Sequence, residues 1–229
     1  MDIFRQHELF EIDVLDKMRS FKLLEPVVFG GGTMLRLCHE LNRYSAGLDF
    51  WFVKPTDQKA YFNRFKRRFE AAYGITDAQM KRFTLLFELR TEVYPKRLKI
   101  EIRREIQEMD YQEKIAFSKY AVKQVVLKAL TLEQAMQNKV AAFLDRGEIR
   151  DGFDIEFLLR KGISLPEMGL PQARQLEKKI DRLKTLDFKV KLGSILEKDA
   201  RAYYAAHKFT YLKEKLAETT AQMSTRESG

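Results

Sequence analysis

Residues 29–52 read FGGGTMLRLCHELNRYSAGLDFWF. An apolar strand over 27–29 runs directly into Gly30, Gly31 and Gly32. A short helix is predicted over 33–41, with Met34, Leu35, Leu37 and Cys38 available for packing. A second short apolar strand over 48–53 then carries one lone acid, Asp49. Glycines at a strand-to-helix turn expose backbone N–H groups, and the helix N-terminus adds partial positive charge. Together they suit a phosphate guest. Thr33 is placed to cap the helix or to give its hydroxyl to that phosphate. The same glycines also fit a tight turn with no ligand. The turn is not the Gly-x-x-x-x-Gly-Lys-Ser/Thr loop, because no lysine follows.

Outward from this stretch, 4–24 shows helical spacing, with Phe10, Val14, Leu15 and Met18 on one stripe and Pro26 ending it. Asp57 is the expected N-cap of a basic helix running to about residue 72. Strands are expected over 82–92 and 97–103, turning near Tyr94-Pro95, and again near 122–127. From Thr131 the pattern becomes almost wholly helical, with helices over 132–146, 151–161, 172–186 and 195–216. The expected fold is α+β: a mixed sheet with flanking helices over 1–129, an α-helical domain over 130–223 closing over the site, and a flexible tail over 224–229.

Side chains two apart on a strand share a face. Leu98, Ile100 and Ile102 therefore face the core, and Lys99, Glu101 and Arg103 point the other way. Glu101 is the one acid of that strand able to stand beside Asp49, with Glu105 a step further on. A carboxylate pair there suits a divalent metal. The alternatives are an edge-strand charge ladder for Glu101 and a pairing with Arg43 for Asp49. In the helical half, Lys139 and Arg146 lie seven residues apart on one helix face, and Arg150, Asp151 and Asp154 open the next helix. These groups suit either phosphate clasping or a helical-hairpin salt-bridge set, with an aspartate holding Arg146 or Arg150.

The bulk composition is compatible with this. The 229 residues are 45% hydrophobic, enough for a packed core, and the formal charge of +9 favours a polyanionic partner. Charge serving solubility alone is the competing reading. Cys38 is the single cysteine, which excludes an internal disulfide and a Cys-rich zinc site. His7, His39 and His207 have no metal-ligand spacing, and Ser45 has no neighbouring histidine to activate it. No apolar run approaches the ~20 residues of a membrane span. The expectation is a cytoplasmic protein with no membrane partner.

Taken together, Gly31-Gly32-Thr33, Arg43-Tyr44-Ser45 with Leu48-Asp49-Phe50, Lys99-Ile100-Glu101-Ile102, then Lys139, Ala142 and Arg146, and Arg150-Asp151 with Asp154 and 157–159, resemble the AbiEii/AbiGii toxin family. That family belongs to the polymerase-beta-like nucleotidyltransferases. The resemblance implies transfer of a nucleoside monophosphate from an NTP to RNA, tRNA foremost, or to a protein. It also implies a toxin with a cognate antitoxin in phage defence. On the matched positions, Asp49 and Glu101 would hold Mg²⁺ and act with Lys139 in catalysis. Gly31, Gly32 and Thr33 would cradle the triphosphate, with Lys139, Arg146, Arg150, Asp151 and Asp154 completing the nucleotide site. The family usually has Asp-x-Asp where this chain has Gly47-Leu48-Asp49. Three explanations stand: a natural pseudoenzyme that binds nucleotide, RNA or a partner; an engineered inactive form; or another acid, Glu105 or Glu40, in the missing role.

Overall fold

The computed structural model describes residues 3–227. The chain divides into two compact units, the first ending at Thr131 and the second beginning at Leu132.

The first unit is built on a seven-stranded mixed sheet. Its strands are β1 (Val27–Gly30), β2 (Leu48–Phe52), β3 (Gly74–Met80), β4 (Thr84–Arg90), β5 (Leu98–Arg103), β6 (Tyr111–Ala116) and β7 (Val125–Leu130), in the order β3-β4-β5-β2-β1-β7-β6. The β2–β5 and β1–β7 pairs are parallel, and the others are antiparallel. Helices α1 (Ile3–Ser20), α2 (Gly31–His39) and α3 (Gln58–Glu70) belong to the same unit.

Alternation decides which face of the central strands is dry. Phe50, Phe52, Leu98, Ile100 and Ile102 are buried, whereas Asp49, Trp51, Lys99, Glu101 and Arg103 are half-buried or exposed. On the dry face α3 presses aromatics onto the sheet. Phe65 stacks on Phe87 with centroids 3.9 Å apart, and Tyr61 meets Phe52 edge-on at 5.2 Å. Asp57 caps α3, its Oδ1 accepting from the Lys59 and Ala60 N–H groups at 3.1 and 3.0 Å. The α1 stripe of Phe10, Val14, Leu15 and Met18 is fully buried.

Two strands escape the sequence reading, β3 and β6, and both are sheet edges. Each has a wet face and carries few β-branched or aromatic residues, so neither shows an apolar run. The strand expected at 122–127 begins later, at Val125, because Val122 is fully exposed.

The second unit contains α4 (Leu132–Arg146), α5 (Ile149–Arg160), α6 (Leu170–Asp181), α7 (Lys198–His207) and α8 (Thr210–Glu227). A π-helical segment, Asp187–Leu192, and a 3-10 turn, Gly193–Ile195, precede α7. The single helix expected over 195–216 is broken at Lys208, where φ is 51° and ψ −134°. Phe209 follows that break and enters the core beside Phe188 and Tyr204. The fully buried Glu156 ties three helices together. It pairs with Arg160 at 2.9 Å, accepts from the Tyr204 hydroxyl at 3.1 Å and from the Leu212 N–H at 3.2 Å. The tail expected from Ser224 begins inside α8, and Ser228 and Gly229 lie outside the described residues. Among the described residues no helix is long and apolar enough to cross a membrane.

Candidate functional site

At the C-terminal end of β1 the chain turns into α2 with no intervening loop. Gly30 is extended, and Gly31 opens the helix with φ 75°, in the left-handed region that favours glycine. A Cβ on Gly31 would overlap Oδ2 of Asp49. The Asp49 carboxylate therefore lies directly against the backbone of the glycine turn. A Cβ on Gly32 would meet the Arg43 guanidinium and, at 2.8 Å, the Ser45 hydroxyl.

Asp49 pairs with Gly30 on one side and with Glu101 on the other. In the parallel β2–β5 ladder, Asp49 and Glu101 are direct register partners, so both acids project from the same face. Strand spacing puts their backbones ~5 Å apart. Glu101 Oε1 lies 2.9 Å from Lys99 Nζ, two residues earlier on its own strand. The described residues contain no group of three or more His, Cys, Asp or Glu side chains placed to hold a metal. Two carboxylates on one sheet face do match what Mg²⁺ takes from a protein when substrate phosphates and water complete its octahedron.

Position 47 takes a conformation that disfavours an aspartate. Gly47 has φ 103°, and a Cβ there would come within 3.2 Å of the Lys99 carbonyl oxygen. Its carbonyl accepts the Thr33 hydroxyl at 2.6 Å. Thr33 is fully buried, so its hydroxyl points into the fold. That corrects the expectation of a hydroxyl offered to phosphate; what Thr33 presents to the turn is backbone N–H. The two stand-in acids are also misplaced. Glu40 follows the far end of the nine-residue α2, ~13 Å along the helix from Gly31. Glu105 lies past the end of β5, exposed, with Oε2 accepting from Gln107 at 3.1 Å.

Behind the turn lies a buried polar cluster that the sequence reading missed. Glu11 on α1 accepts from the Gly47 N–H and lies 3.5 Å from the Thr33 hydroxyl. Burial, reinforced by Glu8, holds its carboxyl well above the usual range. His7 Nε2 is 3.6 Å from Glu11 Oε1, and neither His7 nitrogen has a hydrogen-bond partner. Burial and the nearby Lys96 push His7 down to about 4. Glu8 accepts from Arg36 Nε at 2.5 Å and from the Ser118 hydroxyl at 2.6 Å. Arg36 in turn donates to the Leu41 and Arg43 carbonyls and lies over Tyr44. The cluster braces the 41–47 loop beneath the glycine turn. Its one sequence signal is three polar residues, His7, Glu8 and Glu11, beside the apolar stripe of α1.

The helical unit brings together four of the other predicted residues. Lys139 Nζ lies 2.6 Å from Asp154 Oδ2 and 3.3 Å from Asp151 Oδ1. Arg146 grips Asp151 with two nitrogens, at 2.7 and 2.8 Å. Both aspartates are fully buried. This is the salt-bridge set foreseen for the α4–α5 hairpin. Arg150 is exposed, and the grip on Asp151 comes from Arg146 and Lys139.

The family described as nucleotidyl transferase AbiEii toxin, type IV TA system, matches residues 13–219 of this chain. No curated protein matches it. Among solved structures, JHP933 from Helicobacter pylori is 20% identical, with a TM-score of 0.54 over 96% of this chain and 97% of that one. A second H. pylori structure, described as a candidate nucleotidyltransferase, is 20% identical, with a TM-score of 0.56 over 95% and 96%. At this identity the likeness is one of fold.

Proposed function

The chain belongs to the AbiEii nucleotidyl transferase toxin family, and we propose that it transfers a nucleoside monophosphate from an NTP to an RNA acceptor, tRNA foremost. The observation that carries this reading is the register pairing of Asp49 with Glu101 against the backbone of Gly31. The first-turn N–H groups of Gly31, Gly32 and Thr33 cradle the triphosphate. Asp49 and Glu101 would hold Mg²⁺, which would offset charge on the phosphates. An acceptor oxygen attacks the α-phosphorus, the bond to the bridging oxygen breaks, and pyrophosphate leaves. In the helical unit Lys139 and Arg146 hold the buried Asp151 and Asp154, which fixes the α4–α5 hairpin.

An RNA acceptor is supported by the distribution of charge. A cleft of about 340 Å³ in the first unit is lined by Arg19, Lys22, Lys54 and Lys128 against two acids, Glu25 and Glu113. Burial, and after it the neighbouring Lys54, lower the pKa of Lys128. We infer a second partner, a cognate antitoxin, and a cytoplasmic setting in toxin–antitoxin defence; the family supports the antitoxin.

The test is to incubate wild type and Asp49→Asn with each α-labelled NTP, Mg²⁺ and total RNA. Label on RNA with wild type and none with the variant is expected. No transfer from wild type to RNA overturns the reading. Gly47 favours one alternative, a nucleotide- or RNA-binding protein that does not transfer. Nucleotide binding without transfer in the same samples would establish it.

A further inference from the structure

The residues around Asp49 fit one divalent cation and do not fit a pair. A third carboxylate beside Asp49 would bridge two cations and offset their mutual repulsion. The position two residues before Asp49 is Gly47, whose φ of 103° is one that L side chains rarely adopt. The lack of an acid there is thus built into the backbone, and the Thr33 and Glu11 bonds to Gly47 hold it so.

A cation stands where that acid would have made its contacts. Leu48 pairs with Ile100, so Lys99 lies opposite Gly47. The strand period puts Lys99 on the face of Glu101, and its ammonium lies 2.9 Å from Glu101 Oε1. We infer that this site takes a single divalent cation, and that the Lys99 ammonium fills the place of the second, paired to Glu101 and facing the anionic nucleotide. The charge balance agrees. Two dications on three carboxylates leave one net positive charge; one dication and an ammonium on two carboxylates leave the same. A lysine ammonium is a compact point charge on a flexible stem. The side chain of Lys99 is 54% exposed, which leaves it free to turn from Glu101 to a phosphate when nucleotide enters.

The inference rests on the nucleotidyltransferase reading, and the experiment separates the two. Mn²⁺ is titrated against the full chain in the presence of an α,β-methylene NTP, with free Mn²⁺ counted by electron paramagnetic resonance and nucleotide affinity measured by calorimetry. One Mn²⁺ per chain is expected, abolished in Asp49→Asn. Lys99→Gln should keep that single Mn²⁺ and weaken nucleotide binding about ten-fold, the size of one charge-assisted hydrogen bond. Lys99→Arg should recover part of that affinity. Two Mn²⁺ per wild-type chain, or unchanged nucleotide affinity in Lys99→Gln, would overturn the inference alone. Wild type binding neither Mn²⁺ nor nucleotide would overturn both. Lys99 supports no core packing, so melting of the variants should match wild type.

Discussion

The carboxylate of Asp49 fills the space that a side chain at position 31 would take. The glycine turn and the acid are therefore one unit: the turn can lie this close only because position 31 carries no Cβ. Gly31→Ala would combine a positive φ with this overlap. It should destabilise the fold by about 1–3 kcal/mol and displace Asp49. The expected result is a lower melting temperature together with loss of metal-dependent nucleotide binding. A stable alanine variant with unchanged nucleotide affinity would show that the contact is incidental.

Gly47 makes the opposite prediction from the one its neighbourhood in sequence suggests. Restoring an acid there looks like repair. The structure says that Gly47→Asp puts a branched carboxylate into a backbone conformation suited to glycine, close to the Lys99 carbonyl and opposite the Lys99 ammonium. The expected outcome is a destabilisation of about 1–3 kcal/mol by urea unfolding, with no gain in transfer rate. A stable and faster Gly47→Asp would mean that the 41–47 loop relaxes around an acid.

What was legible in the sequence follows from where burial imposes a period. Leu98, Ile100 and Ile102 alternate because one face of β5 is dry, and that alternation together with the matching one in β2 sets Glu101 on the face of Asp49. The edge strands β3 and β6 have a wet face and left no such mark. The break at Lys208 was hidden because neither glycine nor proline marks it; the burial of Phe209 in the tertiary core accompanies it. The His7–Glu8–Glu11 cluster was missed because a helical stripe is sought among apolar residues, and these polar ones are buried beside it. The aspartates of α5 were visible as charges, but only the folded hairpin shows both fully buried on Lys139.

That buried cluster should appear in the pH dependence of stability. His7 is lowered to about 4, so between about 4 and its ordinary value of 6.5 the unfolded chain binds the extra proton, and this group alone makes stability rise with pH. Glu11 is raised well above 4.5, so above 4.5 the folded chain holds the extra proton, and this group alone makes stability fall with pH. Across their shared window the two slopes oppose and offset one another. Glu11→Gln removes one of them and keeps an acceptor for the Gly47 N–H. The variant should gain stability as pH rises from about 4 to 6.5, by up to about 1.4 kcal/mol per pH unit. Urea midpoints of both proteins across that range measure it. Parallel curves would show that the folded chain does not hold the Glu11 carboxyl above its ordinary range.

We propose that the cleft of Arg19, Lys22, Lys54 and Lys128 receives the acceptor, apart from Asp49. Its cations meet the end of β2 and the start of β7, whereas Asp49 sits at the other end of β2, beside Gly30 and Glu101. Lysine and arginine on phosphate carry no base information but release counterions. Lys54→Glu with Lys128→Glu should therefore weaken binding of unfractionated tRNA and flatten the dependence of log affinity on log salt by ~0.7–0.9 for each phosphate no longer neutralised. NTP affinity should stay at the wild-type value. Because Lys128 also donates to the Glu25 carbonyl at 2.7 Å, Lys54→Glu alone serves as the variant that leaves this backbone hydrogen bond intact. A wild-type salt slope in both variants would remove the cleft from the acceptor's path, while leaving the pairing of Asp49 with Glu101 to stand or fall on the transfer assay.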